Sequence, residues 1–539
     1  MIIREYNEVK VSPFLEDYLE KNGEWTGFYD YGLHHTDYRK RYTDITSHAY
    51  HRDLLVEQLK QYHAPITNAP EVLENIEKLR DPKSVVVIGG QQAGLLTGPL
   101  LTIYKIMTII LDAKEKSKDL QVPVVPVFWI AGEDHDFDEI NHVYIKENQG
   151  MKKVSWKSKI FQKPSMSQMP LNHHEIERWL EQVFCGFGET EHTVELLKRV
   201  KNRLYASETV SEFFARLVMD LFEKYGLVLY DSGSPLFTSS RIAFFQSLIQ
   251  NVEKVQERFK IGSKNLKDAG FSCAVETSPT SAHLFYTYKG NRMMLEYEAG
   301  YFSIKNTDFK CSKEELLQKL ALQPACFSNN VVTRPLMQEY LFPCLSFVSG
   351  PGELVYWAQI YPIFALFQMK MPIVRPRMSL TLFERNISSY LETFSFTKED
   401  VFSSLYKNKK EIFLQKMMEH NVKEEMKPFY KQLDCFHESL AKYVQEIEPA
   451  YYDLMKTNRE HLRKEVLFVE KKLEESLMQR VKVEANRFQK IEDHLYPSEI
   501  FQERVWNVFY FLNLYGEKFL DQLMHLTYTD TCYHYFVNI

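Results

Sequence analysis

Residues Ser84–Lys105 read S-V-V-V-I-G-G-Q-Q-A-G-L-L-T-G-P-L-L-T-I-Y-K, and this stretch decides the fold. Its apolar residues 85–88 form a β-branched run without a polar break, which is typical of a buried strand in a parallel sheet. Gly89-Gly90 then allows a sharp turn, because glycine has no Cβ atom. A polar loop over 91–99 leads into an apolar helix that we expect to run through Ile110. The stretch therefore predicts a strand–loop–helix unit of an α/β protein.

The polar loop after the glycines has the features of a ligand-binding turn. In open α/β sheets, ligands bind outside the carboxyl end of a strand and beside a helix N-terminus. We expect Thr97 or Gly98 to cap the helix and Pro99 to lie in its first turn. The loop matches neither the P-loop nor the dinucleotide pattern, and the alternative is a joint that only packs. The residues predicted here to bind a phosphate or carboxylate are Gln91, Gln92, Thr97 and Gly98.

Composition narrows the class of protein. A chain of 539 residues suggests two to four domains, and 45% hydrophobic with 26% charged residues is typical of a soluble protein. The net charge of −6 gives no sign of nucleic-acid binding. No apolar run is long enough to span a membrane, and the start of the chain lacks the apolar region of a signal peptide. The seven cysteines are scattered without a C-x-x-C pair, which predicts a reducing cytoplasm and no zinc or disulfide framework.

An acidic cluster follows a second predicted strand at 122–130. Strand, helix and strand make a right-handed βαβ unit, so the cluster is expected at the same sheet edge as the polar loop. Its side chains could supply a general base, bind a substrate amine, or hold a metal together with Asp138 and His142. The structural alternative is an acid-rich helix N-terminus. We favour binding of an amine or hydroxyl over a metal, and the predicted catalytic residues are Glu133, Asp134, His135 and Asp136.

Three later strands, at 226–230, 344–348 and 371–374, also end in polar residues. Arginine is the usual protein partner of carboxylates and phosphates, and three arginines near strand ends suggest an anionic substrate. The alternative is that these arginines form ion pairs with the acidic cluster. The further residues predicted to bind substrate are Trp129, Asp231, Arg334, Ser349, Gly350, Glu353, Arg375, Arg377 and Ser379.

A long helix is predicted between Pro449 and Pro497, where neither glycine nor proline occurs. Apolar residues recur there every three or four positions, with charges between them. The helix pairs either with the segment 397–447 or with a second subunit, and we favour dimerisation over chemistry. The chain is divided into an N-terminal helical segment, three parts of a core, two insertions between them, a coiled coil, and an aromatic segment that returns to the core. In chain order these are 1–80, 81–145, 146–210 (first insertion), 211–245, 246–332 (second insertion), 333–385, 386–500 and 501–539.

Four strings resemble a known family: Gly89–Pro99, Trp129–Asp136, Ser349–Glu353 and Arg375–Ser379. They resemble the bacillithiol biosynthesis cysteine-adding enzymes, and the resemblance extends over essentially the full length. It implies a ligase that adds cysteine to the free amine of glucosaminyl-malate, the last step in making the thiol bacillithiol. It also implies a Rossmann-like core with two connecting-peptide insertions, and a homodimer formed through the C-terminal coiled coil.

Such a core is similar to the class I aminoacyl-tRNA synthetases and nucleotidyltransferases. Their His-x-Gly-His motif is replaced here by Thr97-Gly98-Pro99, and arginines stand near the place of their Lys-Met-Ser-Lys-Ser loop. An amide bond requires an activated carboxylate, so ATP or ADP is the expected cosubstrate, with no metal required. In this hypothesis Arg375 and Arg377 neutralise malyl carboxylates or a phosphate, and His135 or a carboxylate takes the amine proton. The alternatives are a catalytically silent nucleotide-binding scaffold that recruits another ligase, and a metal-dependent hydrolase.

Overall fold

The computed structural model describes residues 2–6, 12–21, 25, 27–147, 150–157, 164–418, 421–528 and 534–539. The chain divides into two compact units. The core unit comprises Met1–Glu147, Met151–Leu382 and Gln502–Ile539, and the helical unit comprises Asn148–Gly150 and Phe383–Phe501. Six of the seven cysteines are free thiols, and Cys532 lies outside the described residues.

The described strands belong to four sheets. In chain order they are β1 Ile2–Tyr6, β2 Val85–Gln91, β3 Val124–Ile130, β4 His142–Glu147, β5 Gly150–Ser155, β6 Val228–Asp231, β7 Ser281–Tyr288, β8 Asn291–Glu298, β9 Tyr301–Ser303, β10 Lys310–Ser312, β11 Phe327–Asn329, β12 Cys344–Ser349, β13 Ile373–Pro376, β14 Ser379–Phe383 and β15 His534–Asn538.

The α-helices fill the connections between these strands and form most of the helical unit. In chain order they are α1 Pro13–Glu20, α2 His35–Thr46, α3 Arg52–His63, α4 Pro70–Lys78, α5 Leu100–Leu120, α6 Phe137–Ile140, α7 His173–Phe187, α8 Thr193–Tyr205, α9 Val210–Phe222, α10 Thr238–Gln250, α11 Val252–Asp268, α12 Lys313–Leu322, α13 Arg334–Leu341, α14 Pro351–Leu366, α15 Arg385–Thr393, α16 Ser404–Met418, α17 Val422–Ile447, α18 Tyr452–Leu495, α19 Val508–Tyr515 and α20 Lys518–Met524. Within the described ranges, every helix is too short or too polar to cross a membrane.

The central sheet has the strand order β13-β12-β2-β3-β6, and all its neighbouring strands are parallel. These are the five strands that the apolar runs of the sequence predict, and the Rossmann-like parallel sheet is confirmed. The register pairs Gln91 with Ile130, and Ile130 with Asp231. Because β2, β3 and β6 end level with one another, the polar residues that follow them meet at one edge of the sheet.

A second sheet, of order β10-β9-β8-β7-β11, is antiparallel throughout and lies in the segment 246–332. A third sheet joins the two ends of the described chain, since β1 pairs with β15, with Ile2 opposite Asn538. The fourth is the two-stranded sheet of β4 and β5.

The start of α5 differs from the sequence prediction. Pro99 is the N-cap residue, so neither Thr97 nor Gly98 caps the helix and the proline precedes its first turn. The backbone N–H of Leu100 donates to the carbonyl oxygen of Trp506 at 2.8 Å, because the C-terminal segment lies against this helix end. The helix also continues to Leu120, ten residues beyond the predicted end.

In the helical unit, α18 pairs with α17 of the same chain. Asp434 on α17 accepts hydrogen bonds from Arg459 and Arg463, and Tyr430 donates to Glu470. The lower-numbered residue of α17 meets the higher-numbered residue of α18, so the two helices are antiparallel. The helix α16 also contacts α18, since Lys410 donates to Glu492 and the ring of Phe413 meets that of Phe488, so the predicted segment 397–447 is the partner within the chain.

Candidate functional site

The crevice beyond the carboxyl ends of β2, β3 and β6 is built around Gln92 and the acidic cluster. The Nε2 atom of Gln92 donates to Oδ2 of Asp134 and to Oε2 of Glu139, both at 2.8 Å. The loop after β2 and the loop after β3 are thus in direct contact, as the βαβ unit predicts.

Glu133 is the most deeply buried carboxylate of the cluster, at 4% exposure. The hydroxyl of Ser232, which follows β6, donates to its carboxylate. Burial raises the pKa of Glu133, and the nearby guanidinium groups of Arg334 and Arg292 oppose this shift. A carboxyl whose pKa is raised is better suited to accept a proton than one with an ordinary pKa.

The pKa of Asp134 shifts in the opposite direction to that of Glu133. Burial alone would raise the pKa of Asp134, but the hydrogen bond from Gln92 and the charge of Arg292 lower it below its ordinary value. Its Oδ1 atom also accepts the backbone N–H of His135 at 2.8 Å. Two adjacent carboxyl groups therefore have opposite tendencies, with Asp134 held ionised and Glu133 able to take a proton.

Arg292, on β8 of the antiparallel sheet, reaches into this crevice, and the sequence analysis did not select it. Its Nη1 atom lies 2.9 Å from Nδ1 of His135 and 3.7 Å from Oδ1 of Asp134. Its other nitrogens donate to Ser328 and to the backbone oxygen of Asn329. No local motif marks this arginine, because the contact joins residues 157 positions apart in the sequence.

A second group of charges lies beside β12. The ammonium of Lys105 donates to the backbone oxygen of Gly90 at 2.7 Å and pairs with Glu353. Burial lowers the pKa of Lys105, which is only 2% exposed. Arg334 is partly exposed, and although its partial burial lowers its pKa, the neighbouring Tyr356, Glu133 and Glu353 raise it overall. Arg334 thus remains a cation between the two carboxylates.

A cavity of about 150 Å³ adjoins the loop after β2. Within the described residues, the buried hydroxyl of Thr102 makes no hydrogen bond, and Thr102 and Arg504 are among the residues that line this cavity. Arg504 belongs to the C-terminal segment, which the sequence analysis returned to the core without assigning it a site residue. The lining residues are Gln91, Gln92, Gly94, Gly98, Pro99, Thr102, Glu139, Ile140, His142, Val143, Tyr144, Arg504, Val505 and Asn507.

Three predicted binding residues are fully buried in the structure. The hydroxyl of Thr97 donates to the backbone oxygen of Leu96, and the indole of Trp129 stacks on Tyr230. Ser349 is 0% exposed, and its hydroxyl donates to the backbone oxygen of Arg375 at 3.4 Å. These side chains have partners within the fold, and their role as substrate contacts stays a prediction.

Asp231 and Gly350 also have structural partners. The carboxylate of Asp231 accepts hydrogen bonds from Ser167, Ser211 and the backbone N–H of Gly233. The backbone N–H of Gly350 donates to Glu353 at 2.6 Å, which caps α14. Asp231 therefore anchors the loops behind the acidic cluster instead of binding a ligand, and the N–H of Gly350 is already used.

The predicted arginine set is divided. Arg377 forms a two-pronged ion pair with Glu503, at 2.6 and 2.8 Å, and Ser379 donates to the same carboxylate. Arg375 lies 3.4 Å from the buried carboxylate of Asp112. Both arginines are buried in these contacts, and the role of Arg375, Arg377 and Ser379 as substrate ligands stays a prediction. Ion pairing was the alternative, but it involves carboxylates outside the acidic cluster.

The last member of the cluster, Asp136, is exposed and precedes α6 as its N-cap residue, without a side-chain cap. No group of three or more His, Cys, Asp or Glu side chains is placed to hold a metal ion among the residues that the structure describes. The geometry thus gives the metal alternative no ligand set in this part of the chain.

A Rossmann-like sheet with paired charges beyond its carboxyl edge defines an α/β protein of the small-molecule-binding class, here with a coiled coil attached. Two family models match it: "Bacillithiol biosynthesis BshC, N-terminal Rossmann-like domain" over residues 1–378, and "Bacillithiol biosynthesis BshC, C-terminal coiled-coil domain" over residues 380–539. The chain belongs to the bacillithiol biosynthesis BshC family.

Proteins of the same family are similar over nearly their whole length. A protein of Bacillus licheniformis is 37% identical over 528 residues, covering 98% of each chain. A protein of Geobacillus sp. (strain WCH70) is 38% identical over 542 residues, covering 100% of each chain. Both carry the name "Putative cysteine ligase BshC", which supports the expectation of a ligase.

Proposed function

We propose that this protein adds cysteine to the free amine of glucosaminyl-malate and so completes the synthesis of bacillithiol. The family membership and the names of its relatives support a cysteine ligase. The observation that carries the proposal is the crevice itself, in which a buried carboxyl of raised pKa, Glu133, lies beside an ionised one, Asp134, and close to two arginines.

Glu133 is proposed as the base. An amine attacks a carbonyl only when it is neutral, so a group in the crevice must accept its proton. Asp134 and the exposed Asp136 are proposed to bind the ammonium and hydroxyl groups of the glucosamine ring. The sequence analysis left His135 and each carboxylate of the cluster as candidates for the base, and this proposal selects Glu133.

The anionic parts of the substrates are assigned to Arg334 and to the small cavity. Arg375 and Arg377 have buried carboxylate partners, so the role of neutralising malyl carboxylates passes to Arg334. The cavity, with Gln91, Gln92 and Gly98 on one side, is large enough for one phosphate or carboxylate group but well below the 300–1,000 Å³ of whole-ligand pockets.

A nucleotide, ATP or ADP, is proposed as the cosubstrate. Arg504, which lines the cavity, fits an anionic group, since it offers hydrogen-bond donors and a positive charge. The nucleotide would supply the free energy for activating the cysteine carboxylate. We further propose a relation of the core to the class I synthetase group, with insertions at 146–210 and 246–332.

The test combines purified protein, cysteine, glucosaminyl-malate and ATP, with product and spent nucleotide followed by mass spectrometry. We expect Glu133→Gln to lower kcat by about 10²-fold or more, as for loss of a general base. The matched control is Glu115→Gln on α5, an exposed glutamate that pairs only with Lys116 and should leave activity unchanged.

Two outcomes would contradict the proposal. Wild-type protein that forms no product, under conditions where a lysate lacking only this protein still converts the substrates, excludes the ligase. Cells that keep normal thiol levels with Glu133→Gln favour the silent scaffold that recruits another enzyme.

A homodimer through the helical unit is also proposed. Large apolar side chains on α17 and α18 are exposed in the single chain, among them Phe436 at 56% and Phe468 at 58%. Burying them against a second copy would be favourable, at about 25 cal/mol per Å² of apolar surface. Sedimentation should show a dimer that Phe468→Glu weakens and that Lys260→Glu, at an exposed lysine of α11 in the core unit, does not. A wild-type monomer would refute it.

Free exposed thiols at Cys185 and Cys435 suit the proposed cytoplasmic location.

A further inference from the structure

The contact between Arg292 and His135 determines where the histidine carries its proton. A guanidinium has only N–H donors and no acceptor. Its Nη1 atom lies 2.9 Å from Nδ1 of His135, within hydrogen-bond distance. For this contact to be a hydrogen bond, Nδ1 must present its lone pair, and the proton of the neutral ring must then lie on Nε2.

Arg292 has little freedom to turn away from this contact. Its Nε atom donates to Ser328 at 2.9 Å, and Nη2 donates to the backbone oxygen of Asn329 at 2.6 Å. The plane of the guanidinium lies against Phe285, with its central carbon 3.6 Å from the ring centroid. Each of the three nitrogens therefore has a fixed partner, and the side chain is 8% exposed at the residue level.

The alternative, a proton on Nδ1 shared with Asp134, is disfavoured by the same geometry. The distance from Nδ1 to Oδ1 of Asp134 is 3.7 Å, which is too long for a hydrogen bond. That oxygen instead accepts the backbone N–H of His135 at 2.8 Å. A proton on Nδ1 would also face the N–H group of Arg292, and an imidazolium would add a second positive charge beside it.

We propose that Arg292 is a positioning residue that holds His135 as the tautomer with its proton on Nε2. The lone pair of Nδ1 is then occupied by Arg292, and the histidine does not take the proton of the attacking amine. That last step rests on the proposed function, whereas the tautomer does not. The antiparallel sheet of β7 to β11 thus contributes to the site by fixing a side chain of the core.

The tautomer can be read without any activity. Full-length protein labelled with ¹⁵N-histidine gives ring nitrogen signals that distinguish protonated from unprotonated Nδ1, and the signal lost in His135→Gln identifies the residue. We expect an unprotonated Nδ1 in the wild type. Arg292→Met, which removes every donor, should shift the signal toward the other tautomer, while Arg292→Lys should preserve it.

A protonated Nδ1 in the wild type would overturn the proposal, even if Arg292→Met does not fold. An unchanged tautomer in folded Arg292→Met would overturn it as well. In the ligase assay, His135→Gln keeps a nitrogen donor near the position of Nε2 and should lower kcat less than tenfold, against about 10²-fold for Glu133→Gln. Equal losses would show that His135 is the base. Absence of activity in the wild type refutes the proposed function alone, because the ring signals still decide the tautomer.

Discussion

Replacing Asn507 by leucine tests how the loop after β2 is held. Asn507 is 1% exposed, and its Nδ2 atom donates to the backbone oxygens of Leu96 and Gly98 at 2.8 and 2.7 Å. Its Oδ1 atom accepts the backbone N–H of Phe509 at 2.9 Å. Leucine has a similar size but can make none of these bonds.

The magnitude follows from which groups lose their partner without access to water. The oxygen of Gly98 borders the cavity, so solvent can replace the lost bond there. The backbone oxygen of Leu96 keeps the hydroxyl of Thr97 as a donor, whereas the N–H of Phe509, which is 1% exposed, is left unsatisfied. At about 1–3 kcal/mol for a buried unsatisfied group, Asn507→Leu should reduce the free energy of unfolding by about 1–3 kcal/mol.

Urea unfolding followed by tryptophan fluorescence measures this loss. The control is Asn202→Leu on the exposed face of α8, where we expect a change within about 0.5 kcal/mol. Asn507→Leu should also loosen the loop after β2, because Leu96 and Thr97 have φ of 49° and 67°, a backbone conformation that persists only under strong constraint. An Asn507→Leu variant as stable as the control would refute the view that the C-terminal segment fixes the loop.

The buried pair of Arg377 and Glu503 yields two further predictions. Glu503→Gln leaves a buried cation without its partner and should cost about 3–5 kcal/mol, whereas the double variant Arg377→Met/Glu503→Leu should recover most of this; equal stabilities of the two variants in urea would contradict the reasoning. Burial alone would raise the pKa of Glu503, but Arg377 and Ser379 lower it below the value of about 4.3 in the unfolded chain, so the pair stabilises fully above that pH and its contribution is lost as the pH falls. Unfolding at pH 7 and near pH 3 should therefore show the wild type losing more stability on acidification than the double variant.

The central sheet could be predicted because its signals are local. Each of its strands is a short run of apolar residues, which is the pattern expected of a strand that is buried on both faces of a parallel sheet. The contact between Gln92 and Asp134 could be predicted for the same reason, since one βαβ unit brings both residues to one edge of the sheet.

The rest of the site depends on contacts between distant parts of the chain. Arg292 meets His135 only because a separate antiparallel sheet places β8 beside the crevice. The sequence near Arg377 gives no sign of an ion-pair partner, because its partner Glu503 comes 126 residues later, after the whole helical unit. A charged residue at a strand end can bind a ligand or an internal partner, and the sequence near it does not distinguish the two.

The pairing of β1 with β15 has a consequence for how the protein folds while the ribosome synthesises it. Residues 2–6 are made before the central sheet and the helical unit, and their partners 534–538 are made after both. At about 5–20 residues per second, the first strand waits about half a minute to two minutes for its neighbour. During that time its unpaired edge is open to other chains. Because Trp506 and Asn507 follow the helical unit in the chain, the loop after β2 acquires its final support only after that unit has been made, and chains terminated before Trp506 should lack a formed crevice.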